Sequence, residues 1–411
     1  MTDASLTSAE PTRYAARREE ILAAAAAVLN NQGSRGFTVA SVAKRLGLHP
    51  VSLTYYFKRR RDLLAACLLA TIERYTAMIA DAELAYGPEA RLRRLIANQF
   101  EAQRQARLGF APPLAEFSEV ALVPPPNATY VLGAYWRMFH RMAGLFETPD
   151  LAWLTAARRS LYARLMIEQF GWTPGWLALY DANDYERAAE RFADVLIGGL
   201  ASGGRAWPAA ARAALSVPLA AGGEARRERF LVAATELINE QGYHGASVDK
   251  VSARLNVTKG SFYYHNADKD ELILACFERT LDILREGQTR PYPGDGWERL
   301  CAAATSLAVH QAIGARGRML RGTAFAALPP ELRQVMSARF QQAAFRFQAM
   351  ISDGISDGSM RPVDAMIAAQ TVMATINSSV FLNPWLDRGD VAAGVELNYV
   401  RPSLIGLFRA A

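Results

Sequence analysis

Residues 17–67 of this chain reappear as residues 226–276, at a constant offset of 209 and without a gap. Nineteen of the 51 paired positions are identical, among them Gly33/Gly242, Gly36/Gly245, Val42/Val251, Leu46/Leu255, Tyr55/Tyr264 and Cys67/Cys276. An internal repeat constrains a fold more tightly than composition does. Two copies in a chain of 411 residues make a tandem duplication with units of about 200 residues. Residues 201–223 break the two apart, with glycine pairs at both ends and Pro208 and Pro218 inside. They read as a linker, partly extended, with one short helix over 209–215. Fully stretched, such a segment covers several tens of Å, so it does not dictate how the halves sit.

Each repeat opens on an amphipathic helix. Ile21, Leu22, Ala25, Val28 and Leu29 share one face of a 3.6-residue period, and Phe230, Leu231, Ala234, Leu237 and Ile238 keep that pattern. Gly33 and Gly242 stand where a C-terminal cap would stop the helix. A short second helix starts at the N-caps Thr38 and Ser247 and buries Val42 and Leu46, or Val251 and Leu255. A tight turn follows at Gly47-Leu48 and Asn256-Val257, because Gly and Asn tolerate a left-handed backbone. The third helix starts at His49-Pro50 in one copy, with proline at the first helical position, and at the N-cap Thr258 in the other.

Two short helices joined by a tight turn form a helix-turn-helix, whose second helix is sized for the major groove of B-DNA. The segments LHPVSLTYYFKRRRDL (48–63) and VTKGSFYYHNADKDEL (257–272) resemble the recognition segment of the TetR family of transcriptional regulators. The resemblance covers about 50 residues in each half and recurs in the same order twice. It implies an all-α fold of two units, each a three-helix reading head followed by a helical ligand and dimerisation domain, arranged as an intramolecular pseudo-dimer. The expected bounds are 13–67 and 224–276 for the heads, and 68–200 and 277–411 for the regulatory domains. Three departures stand out: Thr54 replaces the pattern's first Tyr, Pro50-Val51 replaces Lys-Gly, and Asn266 stands where the first copy has Phe57.

In DNA binding, phosphate contacts supply affinity and base contacts supply specificity. From Arg13 to Asp62 there are ten Arg/Lys against three Asp/Glu; from Arg226 to Glu271 there are seven against seven. The first head is therefore expected to grip the backbone harder. Its phosphate candidates are the N-cap Thr38, Tyr55, Tyr56, Lys58 and Arg60, and those of the second head are Ser247, Tyr264, His265 and Lys269. Base-edge candidates are His49, Ser52 and Leu53 in one copy and Thr258, Lys259 and Ser261 in the other. The partner is double-stranded DNA, read through two unequal half-sites.

Beyond the heads, residues 89–106, 130–147, 151–170 and 184–200 read as helices, as do 296–314, 330–352, 363–382 and 395–409, with Pro402 a kink. By family analogy the last two helices of each half form a four-helix seam. Leu161, Leu165, Phe192, Val195 and Leu196 would face Ile367, Val372, Ile376, Leu404 and Leu407. Further dimerisation through exposed helices stays open. Four of the seven Trp lie between 136 and 176. That concentration favours a small-molecule effector site for a flat or apolar ligand in the first half, with Phe117, Trp136, Phe139, Trp153 and Tyr162 as its lining.

No HExxH, GxSxG, GxxxxGK[ST] or GxGxxG sequence occurs, and three Cys cannot supply a four-Cys zinc site. No catalytic residue, metal or cofactor is expected. The uninterrupted apolar runs, such as Ile21–Leu29, are far shorter than a membrane span, and MTDASLTSAEPTR lacks a secretion signal core; a cytoplasmic chain without a membrane partner is expected. The reading that follows is a repressor released by an effector. Its rival is a helical scaffold in which one or both heads have lost DNA contact, kept alive by the second copy's zero net charge, Asn266 and Pro50.

Overall fold

The structure is a computed structural model that describes residues 9–117, 120, 123–214, 225–241, 247–257, 269–314, 317–322, 324, 328, 330–382, 385–386 and 390–409. The first half runs α1 (Ala9–Gly36), α2 (Val39–Arg45), α3 (Pro50–Thr54), α4 (Arg60–Glu83), α5 (Pro88–Arg107), α6 (Asn127–Gly144), α7 (Ala156–Leu177) and α8 (Tyr185–Gly198). The linker carries α9 (Ala209–Ala213). The second half runs α10 (Ala225–Gln241), α11 (Val248–Leu255), α12 (Lys269–Thr289), α13 (Gly296–Ile313), α14 (Pro330–Ser356) and α15 (Ala365–Ser378). It closes with α16 (Val391–Val395), a π-helical turn (Glu396–Val400) and α17 (Arg401–Ile405). Pro402 thus restarts the last helix after the π turn. Among the described residues there is no named strand, only one isolated bridge between Ala201 and Met360.

The expected local signals act where they were read. Helical geometry in α1 breaks at Gly33 (φ 63°). Thr38 caps α2 in a reciprocal capping box with Ser41, and Ser247 caps α11 through the Lys250 amide. Gly47 (φ 66°) and Asn256 (φ 54°) make the left-handed turns. Helix α4 has the length and mean hydropathy (1.5 over 18 residues) of a membrane span, which a search for unbroken apolar runs overlooks. Half of that window is buried, against α1, α5 and α6, which is the pattern of a core helix joining head to regulatory domain. The thiols of Cys67 and Cys276 are buried at equivalent positions, and burial pushes them up to about 12 and about 11, so both stay protonated packing groups.

Helices α7 and α8 pack on α15, α17 and the π turn, and one apolar core runs across both halves. All ten expected seam residues are at most 2% exposed. The centre of the seam is a backbone crossing. The Leu200 amide donates to the Leu404 carbonyl (2.7 Å), and the Leu407 amide donates to the Leu196 carbonyl (2.9 Å). The two bonds run in opposite directions across the crossing, one donated from each half. Gly199 (φ 68°) and Gly406 (φ 104°) permit it. A Cβ at 199 would lie 2.2 Å from the Ile405 carbonyl carbon, and one at 406 would lie 2.3 Å from the Ile197 carbonyl oxygen. Arg361 seals one side, donating to the Gly199 carbonyl (2.7 Å) and to Asp194 (2.8 and 2.9 Å).

The first part of the linker is not an extended tether. Trp207 donates its indole N–H to buried Glu396 (2.9 Å) and packs edge-on against Trp297 (centroids 6.0 Å), while α9 lies against α13. Residues 201–214 are therefore part of the second half's wall. Replacing Gly199 by Ala combines a forbidden φ with a main-chain clash and should lower stability by about 3 kcal/mol or more. Thermal unfolding of the full chain would register this as a clear fall in Tm, whereas Gly203→Ala, at a positive φ but with nothing within 4 Å, should cost much less.

Candidate nucleic-acid interface and shared cavity

The first reading head is built on two buried side chains. Leu53 (0% exposed) and Phe57 (6%) plant α3 on the core of α1, α2 and α4, and Arg18 lies 5.5 Å above the Phe57 ring. Leu53 is therefore a packing residue and not a base-edge contact: the helix's 3.6-residue period turns it away from the face that carries Ser52 and Val51, both exposed. His49 caps α3, its Nδ1 accepting weakly from the Val51 amide (3.4 Å), and stays exposed. Thr38 and Lys58 are exposed as expected. Tyr55 is 76% exposed. Tyr56 is half-buried and stacks on Tyr14 (4.9 Å, 24°), with Tyr55 edge-on to both rings. The ring cluster ties the start of α1 to the end of α3.

Arg60 departs from the expectation. Its Nε donates to the Phe37 carbonyl (2.5 Å) and its guanidinium lies 6.0 Å from the Phe37 ring centre. Through Nε it braces the α1–α2 corner, a structural role that the sequence reading did not assign to it. Lys44 and Arg45 at the end of α2, and Lys58 and Arg59 before α4, are exposed and form no ion pair among the described residues. The sequence reading did not single out Lys44, Arg45 or Tyr14. The signal was present: two cations in the last turn of the helix before the reading turn, and a Tyr one helical stripe before the repeat.

In the second head, the recognition residues Thr258, Lys259, Ser261, Tyr264 and His265 lie outside the described residues, as does the side chain of Lys269, whose backbone opens α12. Ser247 is half-buried at its cap. Of the cations described there, Arg227 and Arg229 on α10 are exposed and form no ion pair among the described residues, while two others bond within the head. Arg254 pairs with Glu236 (3.7 Å) and Glu240 (2.9 Å), and Lys250 donates to Gln241 (2.5 Å).

The five rings expected to line one site do not come together around a single cavity. A cavity of about 660 Å³ lies between the halves, and of the five expected lining residues only Phe117 borders it. Trp136, Phe139, Trp153 and Tyr162 pack elsewhere. Phe139 is fully buried and stacks on Trp385 of the other half (5.6 Å, 15°), and Trp136 stands edge-on to the same ring. Tyr162 (3% exposed) meets Phe146, and Trp153 is half-buried on the core. Of these four rings, Trp136 and Phe139 meet the other half through Trp385. Beside Phe117 the cavity takes rings from Tyr75, Tyr185 and, on α7, Phe170, Trp172 and Trp176, and from Phe340 and Phe381 of the second half. Trp172 bridges, donating to Gln370 (3.0 Å). Beside it Gln169 donates to the Thr371 carbonyl (3.0 Å) and the Thr375 hydroxyl (3.1 Å).

A family model described as "Bacterial regulatory proteins, tetR family" matches residues 21–67 and again 230–276, and one described as "Tetracyclin repressor-like, C-terminal domain" matches 293–381. The chain is similar to the HTH-type transcriptional activator FasR of Mycolicibacterium smegmatis, 38% identical over 84 residues, or 20% of this chain and 38% of that protein. It is also similar to the negative transcriptional regulator IcaR of the biofilm operon icaADBC of Staphylococcus epidermidis, 31% identical over 74 residues, or 17% and 40%. The matches thus span about two fifths of these curated relatives. A crystal structure of AibR in complex with isovaleryl coenzyme A and operator DNA aligns at 22% identity and a TM-score of 0.33, covering 42% of this chain and 96% of that one. Truncating Leu53 to Ala should destabilise the first head by about 2–5 kcal/mol, while Ser52→Ala should stay within about 0.5 kcal/mol. Hydrogen exchange of the α1 and α4 amides separates the two.

Proposed function

Because the chain belongs to the TetR family of transcriptional regulators and carries two helix-turn-helix units in one polypeptide, we propose that it is a cytoplasmic, single-chain repressor. It reads two unequal DNA half-sites and is released by a small effector. The observation that carries this reading is the asymmetry of the heads. One presents Ser52, His49 and Tyr55 on an anchored helix, flanked by Lys44, Arg45, Lys58 and Arg59 without ion-pair partners among the described residues. The other commits Arg254 and Lys250 to its own side chains.

A symmetric dimer of this kind places two identical helices about one DNA turn apart, roughly 34–36 Å, and so reads a palindrome. Here both heads come from one chain and differ, so the operator is proposed to be an imperfect palindrome. Its first half-site is held mainly through phosphates and its second relies on Thr258, Lys259 and Ser261 at the base edges. The crossing at Gly199 and Gly406 supports a fixed spacing of the heads without a second chain. The cavity between the halves supports release by a ligand that changes that spacing.

Selection from random duplexes should return two unlike half-sites; a strictly symmetric consensus would overturn the proposal. Affinity should fall steeply with salt, and Lys58→Ala should reduce the magnitude of the log–log slope by about one while weakening all sequences alike. Tyr55→Phe, which removes one exposed phenolic donor, should weaken operator binding by about 1 kcal/mol with Tm unchanged. Weak binding that is blind to sequence and nearly flat in salt would favour a scaffold instead.

A further inference from the structure

The face that the first reading helix turns outward carries a valine. Successive residues of a helix are rotated by about 100°, so the residues two before and two after Leu53 both come out nearly opposite it. Leu53 is fully buried. Its two opposites are Val51, 67% exposed, and Tyr55, 76% exposed and still in helical backbone (φ −64°, ψ −35°). They stand one turn apart on one face. Ser52 and Thr54, also exposed, sit on its flanks.

The backbone of Val51 is held on both sides. The Thr54 hydroxyl donates to the Val51 carbonyl (2.6 Å), His49 Nδ1 accepts weakly from the Val51 amide (3.4 Å), and the Ser52 amide donates to the His49 carbonyl (2.9 Å). These bonds also tie the Thr54 hydroxyl and His49 Nδ1 to the chain. A β-branched side chain has few rotamers in a helix, so the isopropyl group is presented at a fixed place and gives up little entropy when something covers it.

The surroundings are cationic. Lys44 and Arg45 end α2, Lys58 and Arg59 follow α3, and all four are exposed. Such a set suits phosphates, while the first residues of a reading helix reach the base edges of the major groove. What base pairs present there is almost wholly polar: ring-nitrogen and carbonyl acceptors and amino donors. The apolar exception is the thymine C5-methyl. A valine gains by covering that methyl, whereas against any other edge it leaves a polar group without its water. The paired position of the second repeat is Gly260, which has no side chain to place there.

We infer that Val51 reads the methyl group of one thymine in the half-site bound by the first head, and that Gly260 leaves the second half-site without this contact at the paired position. The contact presupposes the DNA-reading role proposed above, and it makes the two half-sites unequal at a stated atom of a stated base. Val51 supplies specificity; the cations around it supply affinity that is blind to sequence.

The test uses the full chain on an operator selected from random duplexes, with each thymine replaced in turn by deoxyuridine. That replacement deletes the C5-methyl and leaves every hydrogen-bonding group in place. For the wild-type chain, uridine at one thymine should weaken binding about fourfold, the effect of failing to bury one methyl group. Val51→Ala should weaken binding to the thymine operator by a similar factor and be indifferent to uridine at that thymine, with the uridine penalties elsewhere unchanged. Its Tm should match the wild type, because the side chain is exposed. Cytosine at the same place should cost more than uridine. There 5-methylcytosine should recover about fourfold of the loss for the wild-type chain and none of it for Val51→Ala, which separates methyl reading from a hydrogen bond by Ser52. Uridine penalties that all survive in Val51→Ala, equal binding of the two chains, or no recovery with 5-methylcytosine would each overturn the assignment of Val51 and leave the DNA-reading role standing. A chain that selects no duplex at all would overturn that role, and this contact with it.

Discussion

The arrangement of this molecule depends on two glycines that let one backbone cross another. At Gly199 and Gly406 the main chains of the halves come too close for any Cβ, and the pair of reciprocal amide–carbonyl bonds between residues 196–200 and 404–407 locks them. Between two separate chains an interface of this kind would cost translational and rotational freedom on association. In a duplicated chain that cost is largely removed by the covalent connection. The linker strengthens the effect by docking: Trp207 reaches Glu396 and Trp297, so part of the connector serves as wall.

Covalent fusion also removes the requirement that the two halves match. In a homodimer every substitution appears twice; here each head is free to change alone. The scaffold positions stay paired, as in Asn30 with Asn239, Thr71 with Thr280, and Cys67 with Cys276. The surfaces have diverged: Lys44, Lys58 and Arg59 of one head have Ala253, Ala267 and Asp268 at the paired positions of the other, where Arg254 pairs with Glu236 and Glu240. The same freedom explains a cavity with unlike walls. Six of its eight rings come from the first half, while the second half contributes amides, Phe340 and Phe381.

Much of the local structure was legible before any tertiary information. The caps Thr38 and Ser247, the left-handed turns at Gly47 and Asn256, and the long helices follow from short-range rules of hydrogen bonding and periodicity. The ten seam residues were legible as apolar stripes on the last helices of each half. Where the sequence reading went astray, the deciding contact was distant in the chain. Leu53 sits on a helix too short to show a clear face, so its burial was set by α1 and α4. Arg60 belongs to a run of basic residues whose members look alike until Phe37, 23 positions away, claims one of them.

The effector lining failed for the same reason on a larger scale. The density of tryptophan and phenylalanine in the first half signalled buried aromatic surface, yet it could not say whether that surface faces a void or a neighbour. Phe139 found Trp385, and the void opened where Trp172 meets Gly322. By itself, then, the sequence determined the duplication, the reading-head motif, the helical class and the inequality of the two charges, since each is written in residue order and short-range geometry. Only the tertiary structure decided where the halves cross, which cations are left exposed, and which rings border a cavity. Those outcomes turn on contacts between segments up to some two hundred residues apart, whose proximity no local rule encodes.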